Sequence, residues 1–173
     1  MDIWTLSDLS TPWCVHVVVT LRVAEQLAAG EIAIGELAAA VGADPDALAR
    51  VLRHLVSKGL FEEPAPGQFS LNDNARQLLE PGPRLGFDLD SFGGRMANAW
   101  GSLLTAVRTG APAYHTVFGR PFWDDLAAHP AIAADFDALM GPGHGTPDPD
   151  VLPDGDWSSV RTVVDVGGGT GPL

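Results

Sequence analysis

The residues whose types and spacing could do chemistry lie at one end of the chain, in TVVDVGGGTGPL, residues 162–173. Val163 and Val164 read as the body of a strand buried on both faces, as in a parallel sheet. Asp165, Gly167, Gly169 and Gly171 then alternate, which lets the backbone turn sharply and approach a ligand closely. Such a turn suits a nucleotide-type cofactor. It lacks the Lys-Ser/Thr pair of a P-loop and the two-residue gap before the last glycine of the dinucleotide fingerprint, so neither of those sites is implied. A tight turn that serves no ligand is the plainer alternative.

Other constellations carry less. The five histidines, His16, His54, His115, His129 and His144, show no ligand-like spacing to one another or to paired carboxylates, so no metal site is expected. Cys14, the one cysteine, reads as a small buried apolar residue and cannot form an internal disulfide. Arg50, Arg53, His54, Ser57 and Lys58 recur at helical spacing and make one polar, partly basic face, which could meet DNA or simply be solvated. No Lys or Arg occurs between Leu60 and Asn74, where an adjoining wing would meet phosphates, and Glu62 and Glu63 sit there instead. Nucleic acid is therefore not expected as a partner.

Charge points the same way. With 22 acidic and 10 basic residues the net charge is −12, which repels both phosphate backbones and anionic membrane surfaces. At 173 residues and 46% hydrophobic content the chain is apolar and long enough to bury a core. No apolar run reaches the roughly 20 residues that a membrane span needs. A cytoplasmic protein with a small-molecule partner fits this composition best.

The elements that must position the chemistry are mostly helical. Ser10 to Ala29 reads as one very apolar helix stopped by Gly30, although the β-branched run Val17 to Val19 would also suit a strand. Ile34 to Val41 is a short helix closed by Gly42, and Asp44 caps the next, with Pro45 at its first position. In that helix Leu48, Val51, Leu52, Leu55 and Val56 form one core-facing stripe. LFEE and QFSLN read as short strands around the turn PAPG, so the whole is a winged helix-turn-helix. Gly82 to Gly86 reads as a hinge-like break. The helical period then resumes through Met96, Trp100, Leu103, Leu104 and Val107 to Gly110. APAYHTVFGRP reads as a loop, FWDDLAAHP and AIAADFDALM as two helices separated by Pro130, and Gly141 to Gly155 as a linker.

Taken together these stretches resemble S-adenosylmethionine-dependent O-methyltransferases of small-molecule metabolism, which pair an N-terminal winged-helix dimerisation domain with a Rossmann-like catalytic domain. DVGGGTG looks like that family's first cofactor motif and LRHLVSKGLFEE like its winged helix. AVRTGAPAYHTVFGRPFWDDLAAHPAIAADFDALM looks like the segment that roofs the substrate pocket. Within the family the likeness is to bacterial enzymes that tailor aromatic polyketides such as anthracyclines. The resemblance implies that Gly167, Gly169 and Gly171 form the loop under the methionine part of S-adenosylmethionine, with Asp165 at the strand end nearby. It implies that Phe136 and Met140 match a Phe-x-x-x-Met lid and that Trp100 and Leu103 match a pocket-lining helix. Ordinary core packing is the alternative for these four residues. The acidic residue that would hold the cofactor ribose, about 20 residues past the glycines, and the family's histidine base both fall beyond Leu173, so no catalytic residue is assigned.

The expected architecture is mainly α with a small β wing. It comprises a winged-helix dimerisation domain at 1–81, a helical linker and substrate-lid segment at 82–140, a linker at 141–159, and at 160–173 the first strand of a Rossmann-like domain. The expected function is the dimerisation and lid region of an O-methyltransferase acting on an aromatic small molecule, as a homodimer through the N-terminal domain. A relative that uses the same cofactor for hydroxylation or decarboxylation, and a winged-helix DNA-binding regulator, are the alternatives. This chain alone is expected to be inactive, because its glycine turn lacks a surrounding sheet and a ribose partner. Calorimetric titration with S-adenosylmethionine is expected to show weak binding at most, and a micromolar dissociation constant would overturn that expectation.

Overall fold

The computed structural model describes residues 2–30, 32–140, 158–162 and 164. Its N-terminal half is a three-stranded antiparallel sheet on a helical core. The elements are α1 (Ile3–Leu6), α2 (Ser10–Thr20), α3 (Val23–Leu27), β1 (Ile32–Ala33), α4 (Ile34–Val41), α5 (Pro45–Ser57), β2 (Glu62–Ala65), β3 (Gln68–Ser70) and α6 (Asp73–Arg76). The strand order is β1-β3-β2, with Ile32 opposite Phe69 and Glu62 opposite Ser70. The short β1 was not expected from the sequence, because two residues carry no readable alternation.

The helix-turn-helix forms where its signals lie. Gly42 takes a left-handed φ of 66° to close α4, and the Asp44 carboxylate accepts from the Ala47 amide at 2.8 Å to cap α5, with Pro45 in its first turn. From α5, Leu48, Leu52 and Leu55 are buried, while Val51 and Val56 pack at the edge of the same core with Phe61, Phe69 and Leu71. Phe61 sits in the left-handed region at φ 74° although it carries a side chain. Asn72 brackets it: its Oδ1 accepts from the Phe61 amide at 3.4 Å and its Nδ2 donates to the Gly59 and Phe61 carbonyls.

Several expectations need correction. The single helix expected over residues 10–29 is two helices, because Arg22 takes φ 60° and turns the chain between α2 and α3. Val17 to Val19 are helical, not a strand. Burial wins there: Val18 and Val19 lie on the core-facing side, with Val23, Ala24 and Leu27 of α3 beside them. The wing strands are shifted as well, since Pro64 and Ala65 belong to β2 and the turn is reduced to Pro66 and Gly67.

The second half is all helical: α7 (Pro81–Phe87), α8 (Phe92–Ala99), α9 (Leu103–Thr109), α10 (His115–Phe118), α11 (Phe122–Ala128) and α12 (Pro130–Met140). A 3-10 turn at Trp100–Ser102 joins α8 to α9. The break expected at Gly82 to Gly86 is helix α7 instead. Its prolines fall in the first turn, where the missing N–H groups would have no partner anyway, and the helix is supported from outside by α2, α8 and α12. The loop expected around Tyr114 likewise contains α10. Pro130 does more than separate α11 from α12; it opens the second of them.

Three contacts fasten this half to α2 and the turn that follows it. Thr20 Oγ1 accepts from the Leu89 amide at 2.8 Å, and the Arg22 guanidinium pairs with buried Asp88 at 2.8 Å. His16 Nδ1 lies 2.7 Å from the Phe87 carbonyl, with its ring between those of Trp13 and Phe87.

The linker expected at Gly141 to Gly155 lies outside the described residues. Val160 to Thr162 and Val164 form no strand, a departure from the expected strand on Val163 and Val164, of which Val163 is outside the described residues. A strand needs a neighbour to pair its N–H and C=O groups, and the described residues place none there.

Candidate functional site

Helix α8 starts where Ser91 caps it, and it presents Phe92, Met96 and Ala99 at helical spacing toward α12 and the loop before α10. The 3-10 turn adds Trp100, and α9 adds Leu103 and Ala106. Opposite them, α11 supplies Phe122 and α12 supplies Phe136 and Met140. Together with Pro112, Ala113 and Tyr114 these residues line an open cavity of about 580 Å³, within the size range of small-molecule sites.

The four residues expected to line a pocket, Trp100, Leu103, Phe136 and Met140, thus meet in one cavity. Trp100, Leu103 and Met140 are exposed there. Ring contacts order the wall. Phe92 meets Phe136 edge-on at 5.0 Å between centroids, and Phe122 meets Tyr114, Phe136 and Trp123 at 5.4, 5.8 and 4.8 Å. The polar groups of the lining are engaged elsewhere: Ser102 Oγ donates to the Ala99 carbonyl, and the Tyr114 hydroxyl donates to Asp125 at 2.7 Å. Such a wall suits the faces of an aromatic ring rather than an ion.

Behind that wall lies a residue that sequence reading missed. Asp125 on α11 is only 1% exposed. Its Oδ2 accepts from the Tyr114 hydroxyl and pairs with Arg95 at 3.0 Å, while its Oδ1 lies 3.1 Å from His129 Nδ1. That nitrogen also lies 2.8 Å from the Asp125 carbonyl, so a proton on Nδ1 would face two acceptors. Burial, and then the bond to Asp125, push the Tyr114 hydroxyl up to about 12, which keeps it a donor. The signal was present: Phe122, Asp125, Leu126 and His129 fall at i, i+3, i+4 and i+7, so an acid occupies an inward-facing stripe.

The basic face of α5 is engaged within the chain. Arg53 grips Glu63 of β2 with both Nε and Nη2, at 2.9 to 3.1 Å. Lys58 pairs with Asp8 at 3.2 Å, and His54 Nε2 lies 2.8 Å from Thr11 Oγ1. Hydrogen bonds from Thr11, through its hydroxyl and then its amide, hold the Asp8 carboxyl well below the usual carboxylate range, with Lys58 adding to them. Cys14 is half-buried against the core, and burial pushes its thiol up. Among the described residues no group of His, Cys, Asp and Glu could hold a metal, and no helix is long and apolar enough to cross a membrane. The glycine turn, with Asp165, Gly167, Gly169 and Gly171, lies outside the described residues.

An aromatic-walled cavity behind a winged helix is one half of a recognisable arrangement, and comparison with known proteins decides it. Residues 4–81 match the O-methyltransferase dimerisation domain, and residues 100–173 match the O-methyltransferase domain. The chain belongs to the O-methyltransferase family. It is 41% identical to 2,7-dihydroxy-5-methyl-1-naphthoate 7-O-methyltransferase of Streptomyces carzinostaticus, over 97% of this chain and 52% of that protein. It is 39% identical to aclacinomycin 10-hydroxylase RdmB of Streptomyces purpurascens, over 97% of this chain and 46% of that protein. Its fold is similar to that of NcsB1, an O-methyltransferase from neocarzinostatin biosynthesis crystallised with S-adenosylmethionine and 2-hydroxy-5-methyl naphthoic acid. That match has a TM-score of 0.75 at 41% identity and covers 81% of this chain and 44% of NcsB1. This O-methyltransferase family member therefore spans about half the length of the curated relatives it matches.

Proposed function

We propose that this chain is the dimerisation and substrate-lid region of an S-adenosylmethionine-dependent O-methyltransferase that acts on a hydroxyl of an aromatic natural product. The observation that carries the reading is the cavity, which brings Trp100, Leu103, Phe136 and Met140 onto one apolar wall. NcsB1, similar over most of the chain, is described with a naphthoic acid and S-adenosylmethionine bound. The cofactor would supply the methyl group, and Gly167, Gly169 and Gly171, with Asp165, are the residues proposed to hold it. This chain's described residues would bind the acceptor ring, hold it in one orientation and exclude water, so that positioning lowers the barrier. Trp4, Leu6, Leu9 and Trp13 leave an apolar face exposed at the N-terminus, and a second copy of the chain is proposed to cover it.

The cavity reading is tested with 2-naphthol by equilibrium dialysis. Trp100→Ala and Met140→Ala are each expected to weaken its binding about tenfold, as loss of a buried aromatic or thioether contact does. Affinity unchanged in both variants would reject the site. The hydroxylase alternative keeps one specific support, the similarity to aclacinomycin 10-hydroxylase. In a protein carrying this segment with a complete methyltransferase domain, a hydroxynaphthoate and S-adenosylmethionine are expected to give a methyl ether and S-adenosylhomocysteine in equal amounts. A product that instead gains an oxygen atom would establish the alternative.

A further inference from the structure

We infer that Asp125 is a positioning residue of the cavity, which fixes the Tyr114 ring as a section of the ligand-facing wall by accepting the hydrogen bond of its hydroxyl. The inference rests on the reading of the cavity as the acceptor site. Asp125 does not line the cavity; Tyr114 does. One carboxylate ties helix α11, on which it lies, to the loop before α10 through Tyr114 and to helix α8 through Arg95, while its other oxygen meets His129 one turn further along. Its two oxygens are both engaged, and Asp125 is sealed from water at 1% exposure. A buried carboxylate is costly unless it is paired and fully hydrogen-bonded, so this group fixes the geometry of everything that bonds to it.

The geometry transmits to the wall. Arg95 is held between Asp125 and the face of Phe118, its guanidinium carbon 4.7 Å from the ring centroid. Phe118 in turn stacks on Tyr114 at 4.5 Å. Tyr114 is thereby clamped at its hydroxyl by Asp125, on one side by Phe118, and on another by the edge contact with Phe122. A tyrosine at this place without its carboxylate acceptor would keep its ring contacts and its neighbour Arg95 but lose the 2.7 Å bond that holds its hydroxyl against α11. Phe122 and Asp125 also lie one turn apart on α11, so the helix carries both a piece of the wall and its brace.

The test is the binding of 2-naphthol to the chain by equilibrium dialysis, with circular dichroism confirming that each variant is folded at the temperature used. Tyr114→Phe and Asp125→Ala are each expected to weaken binding about tenfold, and the double variant no more than either alone, since both remove one tether. Leu126→Ala truncates a buried neighbour on α11 that does not line the cavity, and it is expected to lower the melting temperature while leaving the affinity within about twofold. If Leu126→Ala weakens 2-naphthol as much as Asp125→Ala does, or the effects of Tyr114→Phe and Asp125→Ala add, Asp125 acts through general stability and the inference falls. Should Trp100→Ala weaken binding while Tyr114→Phe does not, the positioning role is rejected and the cavity reading stands. A parent chain that does not bind 2-naphthol overturns both.

Discussion

Gly94→Ala is expected to destabilise the helical half by about 3 kcal/mol, at the upper end of what one added methyl costs in a closed contact. At this chain length that corresponds to a fall in melting temperature of roughly 10 °C. The reason is the close approach of α8 to the chain leaving α7. A Cβ on Gly94 would collide with the carbonyl group and Cα of Leu89, and one on Gly93 with the carbonyl of Gly86. These are backbone atoms, which cannot swing aside as a side-chain end would. Nor can the backbone shift freely, because the Gly94 amide donates to the Asp88 carbonyl at 3.0 Å while the Ser91 hydroxyl donates to Leu85. Gly35→Ala is the control, since that glycine lies in α4 with nothing near its missing Cβ. It is expected to stabilise by about 0.5–1 kcal/mol. Thermal unfolding of both variants by circular dichroism decides the matter, and a Gly94→Ala protein that melts with the parent would show that the α7–α8 contact is not closed.

The second large effect is on association. Trp4 is 82% exposed and Leu9 75%, so neither contributes to the chain's own core. If a second copy covers them, each is a candidate anchor of the kind that carries about 2 kcal/mol or more of an interface. Trp4→Asp combined with Leu9→Asp is then expected to weaken association roughly a thousandfold, about 4 kcal/mol at 1.4 kcal/mol per decade. Sedimentation equilibrium at micromolar protein is expected to show two chain masses for the parent and one for the double variant. A parent that sediments as a single chain would reject the proposed homodimer. Some of the apolar N-terminal surface is settled within the chain already: Val18 and Val19 are buried, and Val15 and Leu21 pack against the core. Trp100 and Trp123 remain exposed and do not cover the remainder.

What could be read from residues alone followed the strength of local signals. Asp44, Pro45 and Gly42 fix the ends of α4 and α5 through backbone chemistry that needs no tertiary partner, and the stripe from Leu48 to Val56 names the buried face. Trp100, Leu103, Phe136 and Met140 were legible as cavity lining only through resemblance, because period and composition do not distinguish a cavity wall from a core. The misses share one cause, which is tertiary support overriding weak local preference. Helix α7 forms from PGPRLGF because α2, α8 and α12 pack on it. The chain turns at Arg22, a residue with no special tolerance for φ 60°, because its guanidinium meets Asp88, 66 residues away in sequence. Asp125 was passed over since an acid within an apolar stripe reveals its partners, Arg95 and Tyr114, only when the chain has folded.

The clasp between α2 and residues 87–89 carries a thermodynamic consequence. Helix α2 presents Trp13 to solvent near its start, and its far end, through Thr20 and through Arg22 in the turn beyond, is bonded to the short segment that leads into Phe92 on the cavity wall. The face proposed for self-association and the face proposed for substrate therefore belong to one braced lever. Linkage makes any free energy passed along it reciprocal. By whatever factor a bound aromatic ring tightens the pairing of two chains, pairing tightens the hold on the ring by the same factor. Protein concentration would then act as an effector of substrate affinity.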